Sequence, residues 1–327
     1  MGTSDQQMTR PVPLLLAALA IAIPLSLLAG QVWLNPLAPQ ASNALTILAE
    51  LRAPRAALAL IIGAGLGGAG AAMQGYLRNP LADPGLFGVA PTAAFGAVLS
   101  LALGLGTMLP LASLIGAALA MAALALIAGN SSGPNSTTLF ALAGLMLASL
   151  SGALTSLVIS LAPNPFALSE IVTWLMGSLE SRSWHDVALA APPTVLGLVL
   201  LARAAPALDA LTLGEETARS LGVDPTRLLW RMVLGTGLIV GAGVAAAGII
   251  GFVGLVVPHL LRPYTDQRPS SLILPSALGG ALLLLLADCL CRLLPLAGGE
   301  LRIGIALSLI GAPFFLRLLL QLRSELA

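Results

Sequence analysis

The run that decides the fold is Arg55-Ala56-Ala57-Leu58-Ala59-Leu60-Ile61-Ile62-Gly63-Ala64-Gly65-Leu66-Gly67-Gly68-Ala69-Gly70-Ala71-Ala72-Met73-Gln74-Gly75-Tyr76-Leu77-Arg78. No charged side chain lies between its two Arg. A helix rises about 1.5 Å per residue and a bilayer core is about 30 Å thick, so about 20 apolar residues suffice to cross it. Residues 56–75 are therefore read as a membrane span. Gly63 and Gly67 stand at the GxxxG spacing that lets helix backbones approach closely in lipid. Gly63, Gly65 and Gly68 also spell GxGxxG, but a dinucleotide loop needs a strand before it and a water-accessible turn. This tract lies inside an apolar helix pattern and offers neither.

Working outward, the same pattern recurs. Residues 14–33, 91–109, 111–128, 137–161, 187–203, 230–250, 271–294 and 303–322 are further apolar runs, and Pro110 separates the third span from the fourth. Residues 252–261 form a shorter run broken by Pro258. With it the chain has about ten spans by this length criterion. The first run is longer than the apolar core of a signal peptide and is read as a retained helix. Arg52, Arg55, Arg182, Arg292 and Arg302 fall on one side of this arrangement and the other Arg on the opposite side. The excess marks the cytoplasmic face and places both termini there. Loss of the short eighth segment would move the C-terminus across.

Composition agrees with a lipid environment. The 327 residues are 57% hydrophobic and 9% charged, far below the charge that coats a soluble domain. All 15 basic residues are Arg. Without Lys there is no P-loop and no lysine imine chemistry. A net charge of +1 gives no footprint for nucleic acid. Cys289 and Cys291, two apart on a helix, point to different faces and do not make a metal pair. No spacing for a catalytic triad, a zinc site or a calcium loop appears, so no catalytic residue and no metal site is assigned.

Four polar islands interrupt the apolar pattern. The first is Arg78-Asn79-Pro80-Leu81-Ala82-Asp83-Pro84-Gly85, where two prolines stop helices. It reads either as a plain connecting loop or as irregular backbone lining a cavity, which a membrane tolerates only under cover of protein or water. The second, residues 209–227, is the most soluble-looking stretch. Thr212 and Glu215 have capping-box spacing, and Glu215, Glu216 and Arg219 share a helix face. Gly222 suits the residue that ends a helix, and Asp224-Pro225 suits the start of the next. This island is either a solvated loop or a docking knob for a partner. The third, 248–263, has Gly248, Gly251, Gly254 and Pro258, which argue against one straight helix. Its His259 reads as a structural residue, with Arg262 near the inner face. In the fourth, Asp288 and Arg292 at i,i+4 read as an ion pair inside an apolar helix, followed by an outer loop over 295–300. Residues 163–184 read as an interfacial helix, with Ile171, Trp174, Leu175 and Leu179 on one face and Trp174 and Trp184 at the outer boundary.

Taken together these islands resemble a known family. Leu51-Arg52-Ala53-Pro54-Arg55, the Gly-rich helix and Arg78-Asn79-Pro80-Leu81-Ala82-Asp83-Pro84 resemble the opening signature of FecCD-type permeases, the membrane subunits of ABC importers for iron-siderophores, haem and cobalamin. Leu213-Gly214-Glu215-Glu216-Thr217-Ala218-Arg219-Ser220-Leu221-Gly222-Val223 is similar to their coupling loop. Residues 248–262, with Pro258, His259 and Arg262, resemble their G-x-I-x-F-V-G-L-x-x-P-H-x-x-R stretch, and 300–313 resemble their final helix. Val89-Ala90-Pro91-Thr92-Ala93-Ala94 departs from the family's usual Ser-Ser-Gly-Ala-like turn.

The resemblance covers nearly the whole chain and implies an all-α polytopic protein of type II importer permease fold, one transmembrane domain over 1–327 with coupling helices at 209–227. It implies a multi-pass protein of the bacterial inner membrane and a second permease copy, forming a homodimer. Two cytoplasmic ATPases would bind ATP and Mg, and an external substrate-binding protein would dock on Arg52, Arg55 and Arg302. Thr212, Leu213, Gly214, Glu215, Glu216, Arg219, Ser220, Leu221 and Gly222 would form the ATPase-coupling element. The helix over 137–161 would line the pathway. No cofactor is expected in this chain. An ion-coupled secondary transporter is the alternative, because broken helices and Gly tracts suit that class too. An intramembrane enzyme would need a nucleophile or metal set that the spans do not carry.

Overall fold

The computed structural model describes residues 11–30, 41–86, 88–128, 136–294 and 299–326. Thirteen α-helices follow in chain order: α1 (Pro11–Leu28), α2 (Ala41–Ile47), α3 (Ala53–Leu77), α4 (Val89–Ala102), α5 (Leu109–Ala128), α6 (Ser136–Ser160), α7 (Pro165–Leu175), α8 (Trp184–Leu211), α9 (Glu215–Ser220), α10 (Pro225–Ala247), α11 (Val253–Leu261), α12 (Pro269–Leu293) and α13 (Ile303–Leu326). A π-helical turn, Leu48–Arg52, joins α2 to α3. Among the described residues, eight helices are long and apolar enough to cross a membrane; α4 is a shorter apolar helix. Together with α4 and the nine-residue α11, the chain passes back and forth through the bundle as the apolar runs imply. The last residues of the first predicted span, Arg10 and most of the predicted loop 295–300 lie outside the described residues.

α3 is the buried centre of the bundle. Its glycines let three neighbours come close. Gly63 meets the carbonyl of Gly280 and Gly67 that of Ser276, both on α12, while Gly70 meets the carbonyl of Gly254 on α11. A Cβ at any of the three would overlap backbone, so the packing needs glycine there. The α3–α12 crossing fulfils the GxxxG reading.

Three boundaries differ from the sequence reading. The third span ends early: α4 stops at Ala102, and a turn closed by Ser100 Oγ donating to the Leu105 carbonyl (2.6 Å) precedes α5. The sixth span is longer than expected. α8 runs 28 residues to Leu211 and carries Pro192, Pro193 and Pro206 inside it, where α3, α10 and α12 pack around it and support the helix despite the missing donors. The interfacial helix is shorter: α7 stops at Leu175, and α8 starts at Trp184. Ile171 is buried as its face implied; Leu179, past the end of α7, is buried from the irregular segment that follows, and the Trp184 indole donates to the Ala49 carbonyl (2.9 Å).

Between α10 and α11 the helix breaks as the glycines imply. Gly248 and Phe252 adopt positive φ (74° and 67°), and the chain turns back toward the end it came from. Backbone of this break is covered by the segment after α7: Ser178 N–H donates to the Ala247 carbonyl (2.8 Å).

Candidate functional site

Two ends of the bundle carry polar chemistry. At one end α8 finishes at Leu211, and Thr212 closes it, its hydroxyl donating to the Asp209 carbonyl (2.7 Å). The expected capping box between Thr212 and Glu215 is not formed. Thr212 is used as the C-cap of α8, and Gly214 (φ 105°) takes the N-cap of α9 without a side-chain acceptor. α9 ends as the sequence implied. Gly222 N–H donates to the Arg219 carbonyl (2.9 Å) and Val223 N–H to that of Ala218 (3.0 Å), the Schellman pattern, with Gly222 at φ 87°. Asp224 then accepts from Thr226 and Arg227 N–H (2.9 and 3.2 Å), and Pro225 opens α10.

The result is a short, rigid knob. Its inner side buries Ala218 over a pocket lined by Tyr76, Leu211, Val223, Pro225 and Leu228. Its outer side presents Leu213 (64% exposed) and Leu221 (63% exposed) beside exposed Glu216, Thr217, Arg219 and Ser220. Two bare leucines on a well-capped polar turn form a small apolar contact surface with a charged rim. Glu215 turns inward and pairs with Arg78 at 3.8 Å, anchoring the knob to the end of α3.

The first and third islands, distant in sequence, form one unit beside that anchor. Arg78 ends α3 in the left-handed region (φ 49°). Asn79 Oδ1 accepts from Leu81 N–H (2.9 Å) and Asp83 Oδ1 from Gly85 N–H (2.8 Å), so the loop is held by its own side chains. It is not a plain solvated connection: Asp83 is 7% exposed, and burial pushes its carboxyl up to about 6 although the backbone N–H groups of Gly85 and Leu255 favour the charged form. Pro80 lies in this loop, and Pro84 packs on Gly254. Gln74, inside α3, accepts from Arg262 (2.8 Å) and reaches the Gly254 and Leu255 carbonyls (3.5 and 3.4 Å). His259 stacks edge-on against Phe314 (5.6 Å), with no hydrogen bond to its buried Nδ1 among the described residues, and Pro258 lies buried within α11.

The opposite end holds an ion cluster. Asp288 pairs with Arg292 at 3.1 Å, as the i,i+4 spacing implied, and also accepts from Arg55 (2.8 Å), which pairs with Glu300 (2.6 Å). Arg292 donates to the Ser26 and Ala29 carbonyls (3.1 and 3.2 Å) and Arg52 to those of Leu27 and Leu28 (2.9 and 2.7 Å). Two guanidinium groups thus hold the carbonyl end of α1, where a cation suits the helix dipole. Arg302 pairs with Glu180 (2.6 Å) and donates to Ser178 (3.2 Å). Arg52, Arg55 and Arg302 do stand at one end, but all three are engaged within the chain, and Arg55 is only 12% exposed. Cys289 accepts from Arg292 (3.3 Å) while Cys291 is buried, so the two thiols do diverge.

Sequence reasoning missed Gln74, Glu180, Glu300, Ser26 and Asp209 as partners. Gln74, a lone amide in an apolar run, and Glu300, two residues from Arg302, were the visible signals.

Among the described residues, eight apolar helices of spanning length, with a capped knob projecting at one end of the bundle, define a multi-pass membrane protein. The comparisons give its family: residues 15–321 match the FecCD transport family, and the chain belongs to it. It is 40% identical over 322 residues, 97% of this chain and 96% of the relative, to the vitamin B12 import system permease protein BtuC of Vibrio cholerae serotype O1. It is 38% identical over 285 residues (84% of each chain) to the hemin transport system permease protein HmuU of Yersinia pestis. A solved inward-facing structure of a metal-chelate type ABC transporter superposes with TM-score 0.86 at 32% identity, covering 94% of this chain and 97% of that one. The chain is thus an ABC importer permease subunit, and ATP is handled by partner ATPase subunits.

Proposed function

We propose that this permease carries a caged metal inward, either an iron chelate (ferric siderophore or haem) or cobalamin. The relatives' names, vitamin B12 and hemin, share that chemistry. The knob end is then cytoplasmic, with both termini on that side. Two copies form a homodimer around the helix α6, two ATPases seat on the two knobs, and an external binding protein meets the opposite end. The observation that carries this reading is the knob: Leu213 and Leu221 bare on the outside, Glu215 and Ala218 fastened on the inside. An element so built transmits a push instead of absorbing it. At the far end, Arg302 (27% exposed) and Glu180 (42% exposed) are more accessible to a docking protein than Arg55 (12% exposed).

The test is Leu213→Glu with Leu221→Glu. These side chains face outward, so folding and membrane insertion are expected to stay intact. The ATPase should no longer co-purify with the permease, and ATP-driven uptake should fall to background. Full retention of the ATPase would refute the coupling role. Glu215→Arg is a poorer probe, because it also breaks the Arg78 anchor.

A further inference from the structure

We infer that Asp209 is the positioning residue through which the knob drives the opposite end of the bundle, by way of α12. The inference rests on the coupling reading of the knob. Asp209 lies in the last turn of α8, three residues before Thr212. Its Oδ1 accepts from Ser270 N–H at 2.9 Å. Ser270 is the second residue of α12, behind Pro269, and the N-cap residue Arg268 supplies no side-chain acceptor. Asp209 thus provides, from another helix, the carboxylate that a helix start favours.

What α12 does next makes this bond mechanical. The helix is continuous from Pro269 to Leu293, a span of about 37 Å at the usual rise per residue. Backbone contacts at Gly63–Gly280 and Gly67–Ser276 lock it to α3, so the two move as one body. Its far end carries Asp288 and Arg292, bonded to Arg55 and to the carbonyl end of α1. A displacement of the knob therefore reaches the opposite ion cluster with a charge-assisted hydrogen bond at the start of α12 fixing the register in which α8 packs on α12 and α3. The other tie, Arg78–Glu215, is longer at 3.8 Å and joins α3, the same body.

The chain carries its own reporter: Cys289 is half-buried on α12 beside Arg292, and Cys291, the other thiol, is buried. The experiment uses the permease with its ATPase in nanodiscs and measures labelling of Cys289 by a methanethiosulfonate reagent, with and without a non-hydrolysable ATP analogue. In the parent the analogue should change the labelling rate several-fold. Asp209→Ala should reduce that response several-fold while the ATPase remains bound. Ser270→Pro, which removes the donor in a turn where proline is tolerated, should do the same, and the double variant should be no worse than either. Asp209→Asn keeps an oxygen acceptor and should restore the response, which a general loss of packing would not predict. An undiminished response in Asp209→Ala, no response in the parent, or release of the ATPase by Asp209→Ala would each overturn the assignment. Retention of the ATPase by the Leu213→Glu, Leu221→Glu variant would instead overturn the coupling reading beneath it.

Discussion

Asp288→Ala is the perturbation that bears most on how the far end is built. The carboxylate is 1% exposed and faces two guanidinium groups, Arg55 Nε at 2.8 Å and Arg292 Nε at 3.1 Å, themselves 12% and 6% exposed. Arg55 would keep Glu300. Arg292 would keep its bonds to Ser26 and Ala29 but lose its carboxylate partner, Asp288. Removing one partner of a buried pair costs about 3–5 kcal/mol, because the remaining charge has left water without compensation. For a chain of this size that corresponds to a fall in melting temperature of roughly 4–7 °C. Detergent-purified protein, heated and scored for soluble monodisperse material, gives the measurement. The double change Asp288→Leu, Arg292→Met removes both charges and should melt between the single variant and the parent, since apolar replacement of a whole pair is far less costly than half of it. A single variant melting with the parent would refute the reasoning, as would a double variant that is worse than the single.

Two further outcomes follow from the geometry. Asp83 holds its proton to about 6 when folded, against an ordinary carboxyl value of 3.8. Between those values the folded chain binds more protons than the unfolded one, so Asp83 makes stability fall as pH rises through that window and then level off, by on the order of 3 kcal/mol. The melting temperature of Asp83→Asn should lack this component between pH 4 and 6, and a parent-minus-variant difference that stays flat would refute it. Gly67→Ala sets a methyl into the Ser276 carbonyl, whereas Gly243→Ala meets only a methyl of Ile62 at 3.5 Å. The first should destabilise by about 1–3 kcal/mol or more and the second by much less; equal melting temperatures would show that the α3–α12 contact is not as tight as described.

How much of this was legible in the sequence depends on range. Local signals held: Asp288 and Arg292 are one helical turn apart, Gly222 and Asp224-Pro225 punctuate α9 and α10, and the glycines of 248–254 mark a true break. What failed was partner choice across the chain. Arg55 reads as an outward cation until Asp288, 233 residues away, is seen to accept from it. Thr212 reads as a cap for α9 because the spacing to Glu215 is right; α8 reaches it first and holds it at helical φ and ψ (−63°, −25°), and Gly214 takes the N-cap. Asp209 looked like the edge of a solvated loop, since nothing near it in sequence reveals the Ser270 N–H. The length of α8 was hidden by Pro192, Pro193 and Pro206, which argue locally for an end that tertiary packing overrides. Gln74 was visible as a polar residue in an apolar run, but its role needed Arg262 beside it.

The central claim is that this chain is a gate moved by others. Reconstituted alone in sealed vesicles, and then with its ATPase and binding protein, it can be assayed for uptake of cyanocobalamin, haem and a ferric siderophore against a concentration gradient. Accumulation of one of these is predicted only in the full assembly and only with ATP inside the ATPase compartment. Uphill accumulation by the permease alone, driven by a proton or sodium gradient, would contradict the account.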